Sequence, residues 1–290
     1  NSPPVLSLGF HDNLALDDGF YQFNSFAGTW TPIFLNATGI SWTAANWTMP
    51  GFAALADGPH TIYFKVTDDT GHSTGAGGEL SWTFIKDTTP PAAPANLTSS
   101  SHTVSTWSLN ATIDVTWNDS IDITSGLNGY SIVWDTNPDT VPEPVKNMEP
   151  GVRASTSPSM SSSNSIYFHI RPADNAGNWG ETIHLGPFWV DITAPGQATS
   201  VSSSSHTPGV WSSDNTIDIT WVDAIDSHSG LDGYSVVWDT NPATVPLAIK
   251  EIEEGVLGCT SQPMPDSNSC LLYTSPSPRD RTRARMPSSA

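Results

Sequence analysis

The residues of this chain best suited to chemistry are aspartates that follow segments of alternating apolar residues. Asp119 and Asp122 come shortly after Trp117, and Asp174 comes shortly after Ile170. Ca²⁺ takes about six to eight oxygen ligands from carboxylates and loop carbonyls, so these three aspartates predict a structural calcium site if their loops meet. The sequence holds no dense DxDxD spacing, however, and aspartate is also a common turn residue. The alternative that the three carboxylates are solvated turn residues therefore stays open.

The chain carries none of the sequence motifs that mark common catalytic sites. HExxH, GxSxG, GxxxxGK(S/T) and paired CxxC motifs are all absent. A run of serines precedes His102, and the same run precedes His206, which suggests a nucleophile beside a base. Neighbouring residues on a strand point to opposite faces, so we interpret this segment as a polar strand. No catalytic residue and no enzymatic activity are predicted.

Tryptophans are the second candidate for a binding function, because exposed aromatic faces stack on sugar rings and on cations. Trp30, Trp42 and Trp47 lie in a segment rich in turn residues, where the sequence does not indicate which way a side chain points. They are the best candidates for contact with a glycan or protein ligand. Four other tryptophans fall on the inward register of predicted strands and are expected in the core. These are Trp117, Trp134, Trp221 and Trp238.

Five N-x-S/T sequons fit a secreted protein that carries N-glycans. They begin at Asn36, Asn46, Asn96, Asn110 and Asn118. Chance supplies several such sequons in a chain this rich in serine and threonine. The number of sequons alone therefore does not establish an outside location.

Composition narrows the class of protein further. The chain has 29 acidic and 10 basic residues, a formal net charge of -19 at pH 7, which disfavours contact with a nucleic-acid backbone. No apolar run approaches the ~18 residues that a transmembrane helix requires, so no membrane insertion is predicted. With 24 prolines, 22 glycines and few charges, the composition is typical of short strands joined by turns. Two cysteines exclude a disulfide-rich scaffold, and no cofactor other than the calcium ion is expected.

An internal repeat divides the chain. Residues 87–165 match residues 191–269 without a gap, at a constant offset of 104 residues, and about half of the paired positions are identical. The WDTNP motif that begins at Trp134, for example, recurs at Trp238. Such a repeat indicates tandem domains. Because the match ends at Ser269, we expect the second copy to lack its last two strands.

Alternation of apolar and polar residues predicts the strands within the repeat. Three runs have an apolar residue at every second position, and turn clusters rich in Gly, Asn and Pro separate them. The runs cover residues 113–117, 130–134 and 166–170. A segment of about 100 residues built from such short strands packs best as a two-sheet sandwich, so the predicted fold class is all-β.

Several segments carry a resemblance to the fibronectin type III domain. They are PAAPANL from Pro91, the strand that ends at Trp117, GYSIVW from Gly129 and YFHIRPADNAGN from Tyr167. Residues 1–89 are similar to bacterial or archaeal immunoglobulin-like modules, through the DGPH segment at 57–60 and the DTTPP linker from Asp87. The resemblance covers nearly all of residues 1–269. It implies tandem β-sandwiches and says little about function.

These observations divide the chain into four parts. We expect an immunoglobulin-like β-sandwich over residues 1–89, a fibronectin type III-like β-sandwich over 90–194 and a truncated copy of it over 195–269. Residues 270–290 break from the acidic composition with four arginines. They resemble translated sequencing-adaptor read-through at the end of a metagenomic gene fragment, so we expect them to be non-native and disordered. The alternative is a basic tail that binds an acidic partner.

The expected function is non-catalytic. Each predicted domain buries its own core, proline-rich linkers limit bending, and an acidic surface keeps the domains of an array apart. We therefore expect structural, adhesion or spacer modules of a larger surface or secreted protein, located outside the cell. Their partners would be unidentified proteins or glycans and the neighbouring domains of the same chain. The alternative is the accessory substrate- or carbohydrate-binding region of a secreted hydrolase.

Overall fold

The computed structural model of this chain describes residues 3–12, 15–25, 27–74, 80–241, 243–267 and 269–278. Within these ranges the regular secondary structure is β-strand, apart from one short 3-10 helix, Phe52–Ala54. The all-β fold class is therefore confirmed. Every sheet is built from strands of one of three segments, which lie before residue 90, between 90 and 194, and after 194. We call these the first, second and third units, and each has its own hydrophobic core.

The first unit contains six strands in two sheets. They are β1 (Val5–His11), β2 (Leu16–Phe23), β3 (Thr31–Phe34), β4 (Ser41–Thr48), β5 (Gly58–Asp68) and β6 (Ser81–Lys86). β1 pairs with β4, and the second sheet has the order β3–β2–β5–β6. His60, Ile62 and Phe64 of β5 are buried at every second position, which is the pattern of a strand with one face on a core. Leu16 and Tyr21 of β2 join the same core.

The second unit packs a three-stranded sheet against a four-stranded sheet. Its strands are β7 (Ala95–Ser99), β8 (Trp107–Ser108), β9 (Asp114–Asn118), β10 (Leu127–Asp135), β11 (Ala154–Thr156), β12 (Ser163–Asp174) and β13 (Ile183–Val190). The sheet orders are β11–β9–β7 and β10–β12–β13–β8. Val115 of β9 and Phe168 of β12 are fully buried, as their alternating patterns predict. Trp117 packs between the sheets, with its ring centroid 5.8 Å from that of Phe168 and 5.9 Å from that of Tyr130.

The third unit repeats most of this arrangement. Its strands are β14 (Thr199–Ser203), β15 (Asp218–Val222), β16 (Leu231–Asp239), β17 (Ile252–Glu253), β18 (Gly258–Thr260) and β19 (Leu271–Pro278). They form two three-stranded sheets, with orders β14–β15–β18 and β17–β16–β19. Trp221 and Tyr234 occupy the positions of Trp117 and Tyr130, and their ring centroids lie 5.3 Å apart. The repeat in sequence is therefore a repeat in core packing.

Strand β19 differs from the expectation that residues 270–290 lie outside the fold. It pairs with β16 antiparallel, from Leu231 opposite Pro278 to Asp239 opposite Leu271. This is the register that β12 holds against β10 in the second unit, shifted by 104 residues. An uncovered edge of β16 would leave backbone N–H and C=O groups unpaired, and this extended segment pairs with them. One of the two strand positions expected to be missing is thus filled, while residues 279–290 lie outside the described residues.

Candidate functional site at the joints between units

We call the linker between the first and second units the first joint, and the linker between the second and third units the second joint. The first joint is organised by Asp87, the residue that follows β6. Its Oδ1 accepts a hydrogen bond from the Thr89 N–H at 3.0 Å, and its Oδ2 accepts one from the Ser125 N–H at 3.1 Å. Its backbone carbonyl accepts a third from Nδ2 of Asn178 at 3.2 Å. Ser125 lies in the loop between β9 and β10, and Asn178 lies in the loop after β12. Because Asp87 is only 3% exposed, these bonds are shielded from water and tie the linker to two loops of the second unit.

Two threonines tie the same linker to the first unit. The Thr88 and Thr89 hydroxyls donate hydrogen bonds to the carboxylate of Asp57, at 2.9 Å and 2.7 Å. The Thr89 hydroxyl and the Thr88 N–H lower the pKa of Asp57, so the accepting carboxylate is ionised at neutral pH. Asp57 lies directly before β5. The linker is therefore hydrogen-bonded to the unit before it and to the unit after it.

The second joint repeats this arrangement at an offset of 104 residues. Asp191 takes the place of Asp87, and its Oδ1 accepts a hydrogen bond from the Thr193 N–H at 3.0 Å. Its Oδ2 accepts one from the Ser229 N–H, also at 3.0 Å. Thr193 corresponds to Thr89 and Ser229 to Ser125. The same backbone groups therefore hold the linker aspartate at both joints.

Asp191 is also held by the unit that precedes it. The Ser162 hydroxyl donates a hydrogen bond to Asp191 Oδ1 at 3.2 Å and accepts one from the Ile192 N–H at 3.0 Å. Asp191 is fully buried, and burial alone would raise its pKa. The N–H groups of Thr193 and Ser229 outweigh that effect and hold the pKa of Asp191 below its usual value. The carboxylate is therefore a buried anion stabilised by hydrogen bonds.

Asp122 and Asp174, two of the three predicted calcium ligands, converge beside Asp87. Each of these carboxylates has an oxygen within 4.8 Å of an oxygen of the other two. Asp122 Oδ1 accepts hydrogen bonds from the Ser125 and Gly126 N–H groups at 2.9 Å and 2.8 Å, and Asp174 is fully buried. Within the part of the chain that the structure describes, this is the one such group of three potential metal ligands. Hard cations prefer all-oxygen sets, and the calcium site stays a prediction with Asp87 added.

Asp119, the third predicted ligand, has a different place. Its Oδ1 accepts a hydrogen bond from the Tyr130 hydroxyl at 3.0 Å, and its Oδ2 accepts one from Nε of Arg153 at 2.8 Å. The Tyr130 oxygen in turn accepts a hydrogen bond from the Ser120 N–H at 2.8 Å. Burial raises the pKa of Tyr130, so its hydroxyl remains a donor. The third unit repeats this tyrosine–aspartate bond, which indicates a role in the fold.

The second joint does not repeat the group of three aspartates. Asp226 corresponds to Asp122, but the position that corresponds to Asp174 is Pro278, which has no carboxylate. His228 lies near the linker aspartate instead, with its Nδ1 3.9 Å from Asp191 Oδ1. The calcium prediction therefore concerns the first joint alone.

Trp42 and Trp47, two of the three candidate ligand-binding tryptophans, pack into the core of the first unit. The Trp42 ring stacks on Phe34 at 4.5 Å, and Trp47 meets Tyr21 edge to face at 5.2 Å. Both lie on β4, five positions apart, which would place them on opposite faces of a regular strand. The pairing of β1 with β4 shifts register between them, and Asn46 adopts a left-handed φ of 62°. This irregularity turns both rings toward the core of the first unit, where each is half-buried. Contact of these two tryptophans with a glycan or protein ligand stays a prediction.

Trp30, the third candidate, is half-buried. The Lys65 ammonium lies 5.0 Å from the centroid of its ring, and also 5.0 Å from that of Phe20. A cation placed between two aromatic rings in this way is stabilised by both. One face of the Trp30 ring is therefore covered by the Lys65 ammonium of the same unit.

The serine–histidine pair of the second unit differs from its predicted form. Ser101 and His102 lie in a turn beyond the end of β7, and Ser101 Oγ is 2.9 Å from His102 Nδ1. The predicted polar strand therefore reaches only to Ser99, the last residue of β7. Ser101 Oγ also accepts a hydrogen bond from the Asp114 N–H at 2.8 Å, and His102 Nε2 lies 3.0 Å from the Asn110 carbonyl oxygen. Ser101 and His102 thus connect the turn after β7 to Asp114 of β9 and to Asn110. The third unit repeats the serine–histidine contact between Ser205 and His206.

The five sequon asparagines, Asn36, Asn46, Asn96, Asn110 and Asn118, all have exposed side chains. Exposure is the physical requirement for carrying a glycan. Asn36, Asn46 and Asn96 adopt φ values of 52°, 62° and 53°, in the left-handed region that asparagine tolerates. Over the same described residues, no helix has the length and apolar character needed to cross a bilayer.

No protein-family model matches this chain, and no curated protein matches it either. Among solved structures, it is similar to the FN1–FN3 domains of chicken CNTN1, with 13% identity and a TM-score of 0.29 over 95% of this chain and 90% of that one. It is also similar to the central fibronectin-III array of RIM-binding protein, with 12% identity and a TM-score of 0.22 over 96% and 92%. The strand pairings themselves define the class: the chain is an array of tandem β-sandwiches with a fibronectin type III-like fold.

Proposed function

We propose that this chain is a non-catalytic structural or adhesion segment of a surface or secreted protein, which holds its units at a fixed spacing and orientation. The observation that carries the proposal is the construction of the two joints. Asp87 and Asp191 are buried, and each accepts a hydrogen bond from the same loop of the unit that follows. A flexible linker would leave such residues in water.

The energy of these contacts is large enough to restrict bending. Rotating one unit away from the next would break the hydrogen bond that the linker carboxylate accepts, from the Ser125 N–H to Asp87 at the first joint or from the Ser229 N–H to Asp191 at the second. A hydrogen bond to a charged acceptor contributes about 1.5–3 kcal/mol, so each bent state would be populated about 10- to 150-fold less. Pro90 and Pro91 follow in the first linker and narrow its conformations further, because proline fixes φ.

The negative charge of the chain favours units that stay apart in an array, and the exposed sequons favour a location outside the cell. A net charge of -19 makes the units repel one another and disfavours nucleic acid as a partner. The five exposed sequon asparagines are open to glycosylation. The partners are the neighbouring domains of the same chain together with proteins or glycans that bind the surface of the array.

Small-angle X-ray scattering of the full chain tests the spacing function. We expect one arrangement of the three units to account for the wild-type profile. The double variant Asp87→Ala/Asp191→Ala should require a broad ensemble, while the control Asp139→Ala, which replaces an exposed loop aspartate, should match the wild type. A wild-type profile as broad as that of the double variant would contradict the proposal.

A further inference from the structure

A pair of histidines lies on the outer face of the four-stranded sheet of the second unit. His169 of β12 pairs with His184 of β13 across the two antiparallel strands. Phe168 and Ile170, the neighbours of His169, point into the core, so the His169 ring lies on the opposite face. The two Nδ1 atoms are 2.6 Å apart, and the ring planes meet at 74°. His169 is fully buried and His184 is exposed, so the pair reaches the surface through His184.

Asp135, the last residue of β10, fixes the protonation of the buried ring. Its Oδ1 lies 3.1 Å from His169 Nε2. Burial would raise the pKa of Asp135, but hydrogen bonds from the Thr140 hydroxyl and the Asn137 N–H help to hold it below its usual value. The carboxylate is therefore ionised at neutral pH and can only accept a hydrogen bond, so His169 Nε2 carries the proton and donates it.

The other ring nitrogen of His169 consequently carries a lone pair. Burial lowers the pKa of His169 more than Asp135 raises it, so the ring is neutral at pH 7. With the proton on Nε2, the Nδ1 lone pair faces His184 Nδ1. Histidines that bind metal ions are commonly held in this way, with one ring N–H donated to a carboxylate and the other nitrogen directed at the ion.

The distance between the two Nδ1 atoms indicates which metal ion fits. Bonds of about 2.0 Å to a square-planar ion place neighbouring ligand nitrogens about 2.8 Å apart, whereas a tetrahedral ion separates them by about 3.3 Å. The observed 2.6 Å is closer to the square-planar value. Square-planar nitrogen sites are typical of Cu²⁺ and Ni²⁺, and Cu²⁺ binds such sites more tightly than the other first-row divalent ions.

We propose that His169 and His184 are the two protein ligands of a Cu²⁺ site on the second unit, with water completing the coordination. Asp135 is a positioning residue, which holds the His169 ring so that its Nδ1 faces the ion. Without metal, His184 Nδ1 donates a hydrogen bond to His169 Nδ1. When the ion binds, it takes the place of that proton, which moves to Nε2 of the His184 ring. The exposed His184 ring makes the small movement that the longer nitrogen–nitrogen distance requires.

Titration of the full chain with CuCl₂ tests the proposal, with calorimetry for affinity and electron paramagnetic resonance for the ligands. The free cysteines are replaced by Cys259→Ser and Cys270→Ala, so that no thiol binds or reduces the ion. We expect saturable binding and a Cu²⁺ spectrum coupled to two imidazole nitrogens. His184→Gln should weaken binding about tenfold or more and remove one of the two nitrogens. Because His184 is exposed, folding does not depend on it.

Two further variants separate the pair from other groups. Asp135→Asn should weaken Cu²⁺ binding by about 10- to 100-fold while the spectrum keeps both nitrogens, because Asp135 positions a ligand without being one. An unchanged affinity in this variant would contradict that positioning role. His11→Gln is the matched control, because His11 is an exposed histidine of β1 that lies opposite Ser41 instead of a second imidazole. It should leave the affinity unchanged.

Three results would overturn the proposal. The first is the absence of binding up to about 1 mM Cu²⁺, which would assign the pair to a hydrogen bond between two rings. The second is an equal Cu²⁺ affinity of the His184→Gln and His11→Gln variants. The third is a spectrum in which His184→Gln keeps both nitrogens, because the ion would then lie elsewhere on the chain.

Discussion

Replacing Asp191 by alanine removes a fully buried carboxylate from the second joint. Asp191 is fully buried, and its Oδ2 accepts the hydrogen bond of a buried Ser229 N–H at 3.0 Å. Alanine leaves that N–H without an acceptor, whereas the N–H of the exposed Thr193 can turn to water. A buried donor without a partner costs about 1–3 kcal/mol, and we expect the free energy of unfolding of the third unit to fall by that amount.

Calorimetric unfolding of the full chain measures this loss. For a domain of this size each kcal/mol lowers Tm by about 4–8 °C, so the transition of the third unit should shift visibly. Hydrogen exchange at the Ser229 amide should accelerate together with it. Asp139→Ala is the matched control, because it removes an exposed aspartate and should change neither quantity. An Asp191→Ala chain with unchanged Tm and unchanged Ser229 exchange would refute the reasoning.

The same carboxylate gives the stability of the third unit a defined pH dependence. Hydrogen bonds hold the pKa of Asp191 below its usual value, while an unfolded aspartate titrates near about 3.9. A group with a lower pKa in the folded state stabilises the fold above its unfolded pKa, and the contribution is lost as the pH falls through the folded pKa. Below about pH 4 the wild type should therefore lose stability more steeply than Asp191→Ala. Parallel pH profiles would count against the account.

Three further predictions concern the other contacts. Tyr130→Phe should destabilise the second unit by about 1–3 kcal/mol in denaturant unfolding, because the buried Ser120 N–H loses its acceptor; no change would contradict the role given to that hydroxyl. Trp47→Ala should lower the free energy of unfolding of the first unit by up to about 3 kcal/mol, measured by thermal unfolding, because the Trp47 ring packs against the core. A variant that loses binding on a glycan array but keeps its stability would contradict this packing role. Calorimetric titration of the full chain with Ca²⁺ should give heat that Asp174→Asn abolishes, and the absence of heat at millimolar Ca²⁺ would end the calcium prediction.

The sequence predicts the strands of the repeat well because they have one buried face each. Val115 and Phe168 sit inward where period-two alternation places them. The same rule fails on β4, where a register shift and the left-handed Asn46 bring Trp42 and Trp47 to one face. Local alternation carries no information about such an irregularity, because it depends on the pairing with β1.

The candidate site is only partly predictable for a related reason. Asp122 and Asp174 could be placed at one end of the sandwich, since the loops after β9 and β12 share that end. Asp87 could not be placed in this group from the sequence, because its hydrogen bond with Ser125 spans 38 residues and crosses between units. Its signal in the sequence is the recurrence of an aspartate directly after the closing strand, with a threonine two residues later, at both Asp87 and Asp191.

A distance measurement across the second joint tests the central claim most directly. Spin labels at the exposed positions Asp139 and Val245 report on the second and third units, in a chain whose free cysteines are replaced by Cys259→Ser and Cys270→Ala. Pulsed electron paramagnetic resonance should give one narrow distance distribution, which broadens when Asp191→Ala is added. A distribution that is already as broad in the chain with Asp191 would contradict a joint fixed by its buried aspartate.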